Sequence, residues 1–135
     1  MGYPIAIYKG VIKNDAFYFA PIINGERIFG MILDTGAFEL TFSQRVADRL
    51  SLPNLGTLEI GGIGGTVNAY LSECTITIRD RVYPEVPCVV DPQLTDLAGL
   101  FGLRFFVDNQ IKLELNPVRQ TLVLFDAYAG GFRKG

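Results

Sequence analysis

Short apolar runs dominate the chain, each bounded by Gly, Pro, Asn or Asp, and this is the pattern of strands joined by tight turns. Phe17 to Ile23 and Arg27 to Leu33 are rich in aromatic and branched residues. Asn24-Gly25, the dipeptide that best tolerates the positive φ angles of a two-residue hairpin turn, lies between them, so the pattern predicts a β-hairpin leading into Asp34. Further strands are predicted over Thr57 to Ile60, Thr66 to Ile78, Val82 to Val90, Ile111 to Leu115 and Thr121 to Phe125. Apolar and charged residues alternate from Ile111 to Leu115, as in a strand buried on one face. Helix is scarce. Ser43 is placed to cap a helix through Leu50 with Val46, Ala47 and Leu50 on one face, ended by Pro53, and a second short helix follows Gly102 through Phe106.

The fold class read from this pattern is all-β, a small closed β-barrel with one or two short helices, since closure removes exposed strand edges. No repeat or low-complexity linker divides the 135 residues, a length suited to one domain. Residues 1–126 are expected to form that domain and the glycine-rich 127–135 a loose tail.

Composition narrows the chemistry. Twelve Lys and Arg against 14 Asp and Glu leave a net charge of −2, without the basic excess that nucleic acid selects. There is no histidine, which removes Ser-His and Cys-His nucleophile pairs and the usual imidazole ligands of zinc. Cys74 and Cys88 lack metal-site spacing and read as reduced core thiols. No metal or cofactor is expected. Neither a signal pattern nor an apolar run long enough to span a bilayer is seen, so the expectation is a soluble, cytoplasmic protein without membrane insertion.

Three segments carry candidate chemistry. In the first, the apolar run to Leu33 ends in Asp34, followed by Thr35, Gly36 and Ala37. A carboxylate at a buried strand end is costly unless hydrogen-bonded, neutralised or used; Gly36 lets backbone N–H groups approach it, and Thr35 offers a hydroxyl to brace the turn. The second is Gly61, Gly62, Ile63, Gly64 and Gly65 inside a strand-turn-strand pattern, read as a mobile hairpin tip that brings backbone against a ligand, or as a plain glycine hairpin. The third, Leu100, Phe101 and Gly102, is taken alone simply core.

In order and spacing the three segments together resemble the retropepsin-like, single-domain aspartic proteases, from about Ile22 to Phe125. The resemblance implies an aspartic endopeptidase with Asp34 as catalytic residue and Thr35, Gly36 and Ala37 as its active-site loop. It also implies a flap at Gly61 to Gly65, with Ile63 and Phe38 among the substrate-binding residues, and Leu100, Phe101 and Gly102 as structural support. Because such catalysis uses two aspartates and this chain carries one Asp-Thr-Gly, the resemblance implies a homodimer that acts on a peptide or unfolded protein. A departure is visible. Viral members place an Asp directly after Asp-Thr-Gly-Ala and pair it with an Arg directly after the helix glycine, where this chain has Phe38 and Leu103, with Arg104 one place later. The alternative of another class is a peptide-binding or assembly module that keeps the fold without turnover.

Overall fold

The computed structural model describes residues 3–62 and 65–127, and for 59–62 and 65–67 it describes the backbone alone. The strands are β1 (Pro4–Lys9), β2 (Val11–Lys13), β3 (Ala16–Phe19), β4 (Ile22–Ile23), β5 (Glu26–Arg27), β6 (Met31–Leu33), β7 (Leu40–Ser43), β8 (Gly56–Gly62), β9 (Gly65–Ile78), β10 (Arg81–Asp91), β11 (Gly99–Phe101), β12 (Ile111–Asn116) and β13 (Thr121–Asp126). Two short helices, α1 (Gln44–Leu50) and α2 (Arg104–Asp108), complete the described chain. The class is all-β, as expected, and no helix among the described residues is long and apolar enough to cross a membrane.

The expected closed barrel is corrected to two open sheets. The larger runs β2-β3-β6-β11-β7-β10-β9-β4-β5, with β8 also paired to β9, while β1, β13 and β12 form a separate three-stranded antiparallel sheet. The chain leaves one sheet for the other at Gly10, where a Cβ would collide with the Tyr18 carbonyl and the Phe17 ring. The edge that closure would have removed is instead capped, since Gln120 accepts from the Gly10 N–H through its carbonyl (3.0 Å) and from the Ile12 N–H through Oε1 (2.7 Å).

The predicted hairpin forms but is split in two. Asn24 (φ 50°) and Gly25 (φ 80°) make the turn between β4 and β5. Beyond buried Pro21 and Gly30 (φ 84°) the arms resume as β3 paired with β6. The tip therefore bends away and adds to β9, with Ile22 opposite Thr77 and Ile23 opposite Ile76. Helix α1 starts where Ser43 Oγ accepts the Val46 N–H and stops at Ser51 in the left-handed region (φ 55°), burying Val46, Ala47 and Leu50 as predicted. In β12 the alternation fails at exposed Leu115, because β12 is an edge strand of the small sheet.

The core joins both sheets. Ile23, Met31, Phe42, Val90 and Leu122 are fully buried, and Phe101 packs against Phe19 (5.7 Å between ring centres), Phe106 (5.2 Å) and Phe105 (5.8 Å). Cys74 and Cys88 are buried free thiols on neighbouring strands. A hydrogen bond with Cys88, then burial, pushes the Cys74 thiol far above its ordinary range, so it is an inert part of the core. Arg81 and Asp126 tie the start of β10 to the end of β13 through two parallel hydrogen bonds of 2.7 and 2.8 Å.

Candidate active site

Three strands build the site. β11 lies between β6, to which it is parallel (Phe101 opposite Leu33), and β7, to which it is antiparallel (Phe101 opposite Leu40). The segment 34–39 is therefore the loop that leaves β6, passes the end of β11 and returns as β7. Main-chain bonds pin it at each corner. The Asp34 N–H donates to the Phe101 carbonyl (3.0 Å), the Leu103 N–H to Ala37 (3.1 Å) and the Arg104 N–H to Phe38 (2.7 Å). Since the Phe101 ring is buried among aromatics, the Asp34 backbone is referenced directly to the core.

Glycine makes this close approach feasible. A Cβ on Gly102 would stand 2.5 Å from the Glu39 carbonyl oxygen and 2.6 Å from that of Phe38, so only hydrogen lets β11 run on under the loop. Gly99 is equally confined, against the Thr41 carbonyl and the Met31 side chain.

Within the loop, the Gly36 N–H donates to Asp34 Oδ1 (3.0 Å) and the Ala37 N–H to the Asp34 carbonyl (3.1 Å), an Asx-type turn that holds the carboxylate in one orientation. Asp34 is half-buried rather than buried as expected. The strand before it is interior, with Met31 and Leu33 buried, but the loop carries the carboxylate outward, and Thr35 and Gly36 are exposed. Phe38, on the same loop, is 52% exposed.

The sequence-predicted residues fall in two groups. Asp34, Thr35, Gly36, Ala37, Phe38, Leu100, Phe101 and Gly102 are brought together at the end of β11. Gly61, Gly62 and Gly65 lie on the β8–β9 hairpin, with Gly62 paired to Gly65, whereas Ile63 and Gly64, the expected tip, lie outside the described residues. No group of three His, Cys, Asp or Glu side chains converges as a metal site among the described residues.

One brace was missed. Arg104 Nη1 donates to both carboxylate oxygens of Glu39 (3.2 and 3.3 Å) and its Nε to Asp108 (3.3 Å). The hydrogen bond to Glu39, chiefly, raises the Arg104 guanidinium above its ordinary pKa. The signal was in the sequence: Glu39 and Arg104 each stand one place after Phe38 and Leu103, the two positions where a charge pair was looked for.

Residues 20–108, more than half of the chain, match the family model described as "gag-polyprotein putative aspartyl protease". No curated protein matches the chain. Among solved structures, the chain is similar to the EIAV protease complexed with the inhibitor HBY-793, at 24% identity and TM-score 0.58 over 78% of this chain and 100% of that one. It is similar to a retropepsin-like aspartic protease from Rickettsia conorii at 16% identity and TM-score 0.62, covering 87% of each chain. The retroviral protease-like domain of Ddi1 from Leishmania major shares the fold at 13% identity and TM-score 0.55, over 84% of this chain and 97% of that one. The family match spans the hairpin, the Asp34 loop and β11 through α2, and on it the chain belongs to the retropepsin-like aspartyl proteases of gag-polyprotein type.

Proposed function

We propose that the chain is an aspartic endopeptidase whose active unit is a homodimer, with residues 1–126 as the catalytic domain and 127–135 as a tail. The observation that carries this reading is the fixed, outward-facing Asp34 carboxylate, clamped at Oδ1 by the Gly36 N–H on a loop anchored to the core through Phe101. The other oxygen, Oδ2, has no protein partner among the described residues. A twofold axis beside Asp34 sets two identical carboxylates together. Like charges about 3 Å apart do not both ionise readily, so the mechanism uses one carboxyl protonated and its twin ionised.

One carboxylate then takes a proton from a water held between them, the water oxygen attacks the scissile carbonyl carbon, and the protonated partner donates to the carbonyl oxygen. Collapse of the tetrahedral species breaks the C–N bond and returns a proton to the leaving amine. Thr35, exposed in the protomer, reaches across the axis to brace the partner loop, and Gly36 leaves room for substrate backbone. The Gly61 to Gly65 hairpin closes over an extended peptide, with the Ile63 amide toward substrate carbonyls through water. Phe38, Ala37 and Leu100 line apolar side-chain pockets.

The test is cleavage of an unfolded protein at acidic pH by wild type and Asp34→Asn, with sedimentation across concentration. Wild type is expected to cleave with a rate that rises as dimer forms, and Asp34→Asn to lose at least about 10³-fold, as removal of the acid-base group demands. Cleavage that survives the substitution removes Asp34 from the mechanism, and peptide binding with no products at any pH favours the binding-module reading.

A further inference from the structure

Charge is unevenly matched over the surface. The ion pairs among the described residues engage Arg49 with Glu26, Arg81 with Asp126, and Arg104 with Glu39 and Asp108, and Lys13 and Lys112 lie over the rings of Tyr18 and Phe125. Lys9, Arg27 and Arg79 have no such partner among the described residues, and all three line one cleft of about 260 Å³ that no Asp or Glu lines. That space is several times the ~30 Å³ share of one water, enough for a polyatomic anion.

Strand pairing explains the convergence. Ile22 is opposite Arg27 on one side and Thr77 on the other, so the three form a row on one face across β5, β4 and β9, and Arg79 (φ 56°), in the turn just after β9, borders the same cleft. Ile23, Ile76 and Ile78 point to the buried face. From the other sheet, β1 brings Tyr8 and Lys9 to the same cleft. Arg27 is held in place because its Nη1 donates to the Ala20 carbonyl at 2.7 Å, which leaves the rest of its planar fork of donors for a ligand. Burial holds the Tyr8 phenol above its ordinary pKa against the opposing charge of Arg27, so its hydroxyl stays protonated and able to donate.

We propose that this cleft binds a dianionic phosphoryl group, with Arg27 as its forked partner, Lys9 and Arg79 as flanking charges, and Tyr8 and Thr77 as hydroxyl donors. Three positive charges match a phosphoryl dianion better than a single carboxylate. An extended polyanion is disfavoured by the acidic remainder of a chain whose net charge is −2. The cleft shares no lining residue with the Asp34 loop or the β8–β9 hairpin tip, so the proposal stands apart from the protease reading.

The test is ¹H–¹⁵N spectra of the full chain, titrated at constant ionic strength with sodium phosphate and, separately, with a phosphoserine peptide and its unphosphorylated twin. Saturable shifts confined to residues 6–9, 22–27 and 77–79 are expected, with binding at least tenfold weaker in Arg27→Gln and Arg79→Gln and unchanged in Arg45→Gln. Saturation by phosphate alone supports a free-anion site, and saturation by the phosphopeptide only supports a protein-borne phosphoryl group. If Arg27→Gln loses the dispersed spectrum of the fold, the substitution at Arg79, on an exposed turn, decides the matter. Shifts no larger than those in chloride, equal response to both peptides without response to phosphate, or equal affinity in the Arg79 variant overturns it.

Discussion

Replacing Gly102 by Ala tests whether β11 positions the Asp34 loop. The added methyl carbon would stand 2.5 Å from the Glu39 carbonyl oxygen, 2.6 Å from the Phe38 carbonyl oxygen and 2.7 Å from the Phe38 carbonyl carbon. Carbon and oxygen meet comfortably at about 3.3 Å or beyond, so a separation of roughly 0.8 Å must open. All three atoms are backbone, with no rotamer to turn aside, and they lie four and five residues after Asp34. Overpacking of this kind costs about 1–3 kcal/mol, which lowers Tm by roughly 4–10 °C in a domain of this size. Because a misplacement near 1 Å costs about 10²-fold in rate, kcat is expected to fall by one to two orders of magnitude while the variant remains folded at 25 °C. Thermal unfolding followed by circular dichroism, with peptide-cleavage kinetics below the transition, reads both. Gly36→Ala is the control for stability, since its methyl meets only Asp34 Oδ1 at 3.4 Å, an ordinary contact. A Gly102→Ala protein with wild-type Tm and wild-type turnover would refute the claim that this packing holds the loop.

Other expectations follow from the ion pairs and thiols. A double-mutant cycle on Glu39→Gln and Arg104→Met is expected to give a coupling of about 0.5–1 kcal/mol, small because both side chains are more than a third exposed, together with a fall in kcat that a purely peripheral pair does not produce. The Arg81 hydrogen bonds lower the Asp126 pKa, so that pair adds stability at pH values above the unfolded carboxyl's 3.8 and loses it as pH falls through the lower folded value. Asp126→Asn, screened by solvent, is expected to cost about 1 kcal/mol or less at pH 6 in a urea titration, and the difference from wild type to shrink toward pH 2. Cys74 and Cys88, both buried, are expected to resist a thiol reagent in the native protein and react only at the rate of unfolding; prompt labelling contradicts the packing described.

Much of this molecule was legible because local chemistry specified it. Asn24-Gly25 makes its turn with positive φ at both residues, Ser43 caps α1, and the run ending at Asp34 is a strand that stops at a carboxylate. Less legible were β7 and β11, four and three residues long, whose apolar runs carry no period and whose partners are far away in the chain. Leu100, Phe101 and Gly102 look like plain core in one dimension; that Phe101 receives the Asp34 N–H and Gly102 slips under Phe38 and Glu39 follows from pairing across more than sixty residues.

Turn chemistry, capping and the alternation of apolar positions act within a few residues, so the amino-acid order by itself determined the all-β class, α1, the split hairpin's turn and the identity of the candidate carboxylate. Pairings between distant strands depend on which edges remain unsatisfied once the core has formed, and the tertiary structure alone decided them. It opened the expected barrel into two sheets at Gly10, set Asp34 half-exposed on a loop anchored by Phe101, and joined Glu39 to Arg104. It also gathered Lys9, Arg27 and Arg79 around one cleft, because β4 pairs with both β5 and β9 and β1 closes over their shared face.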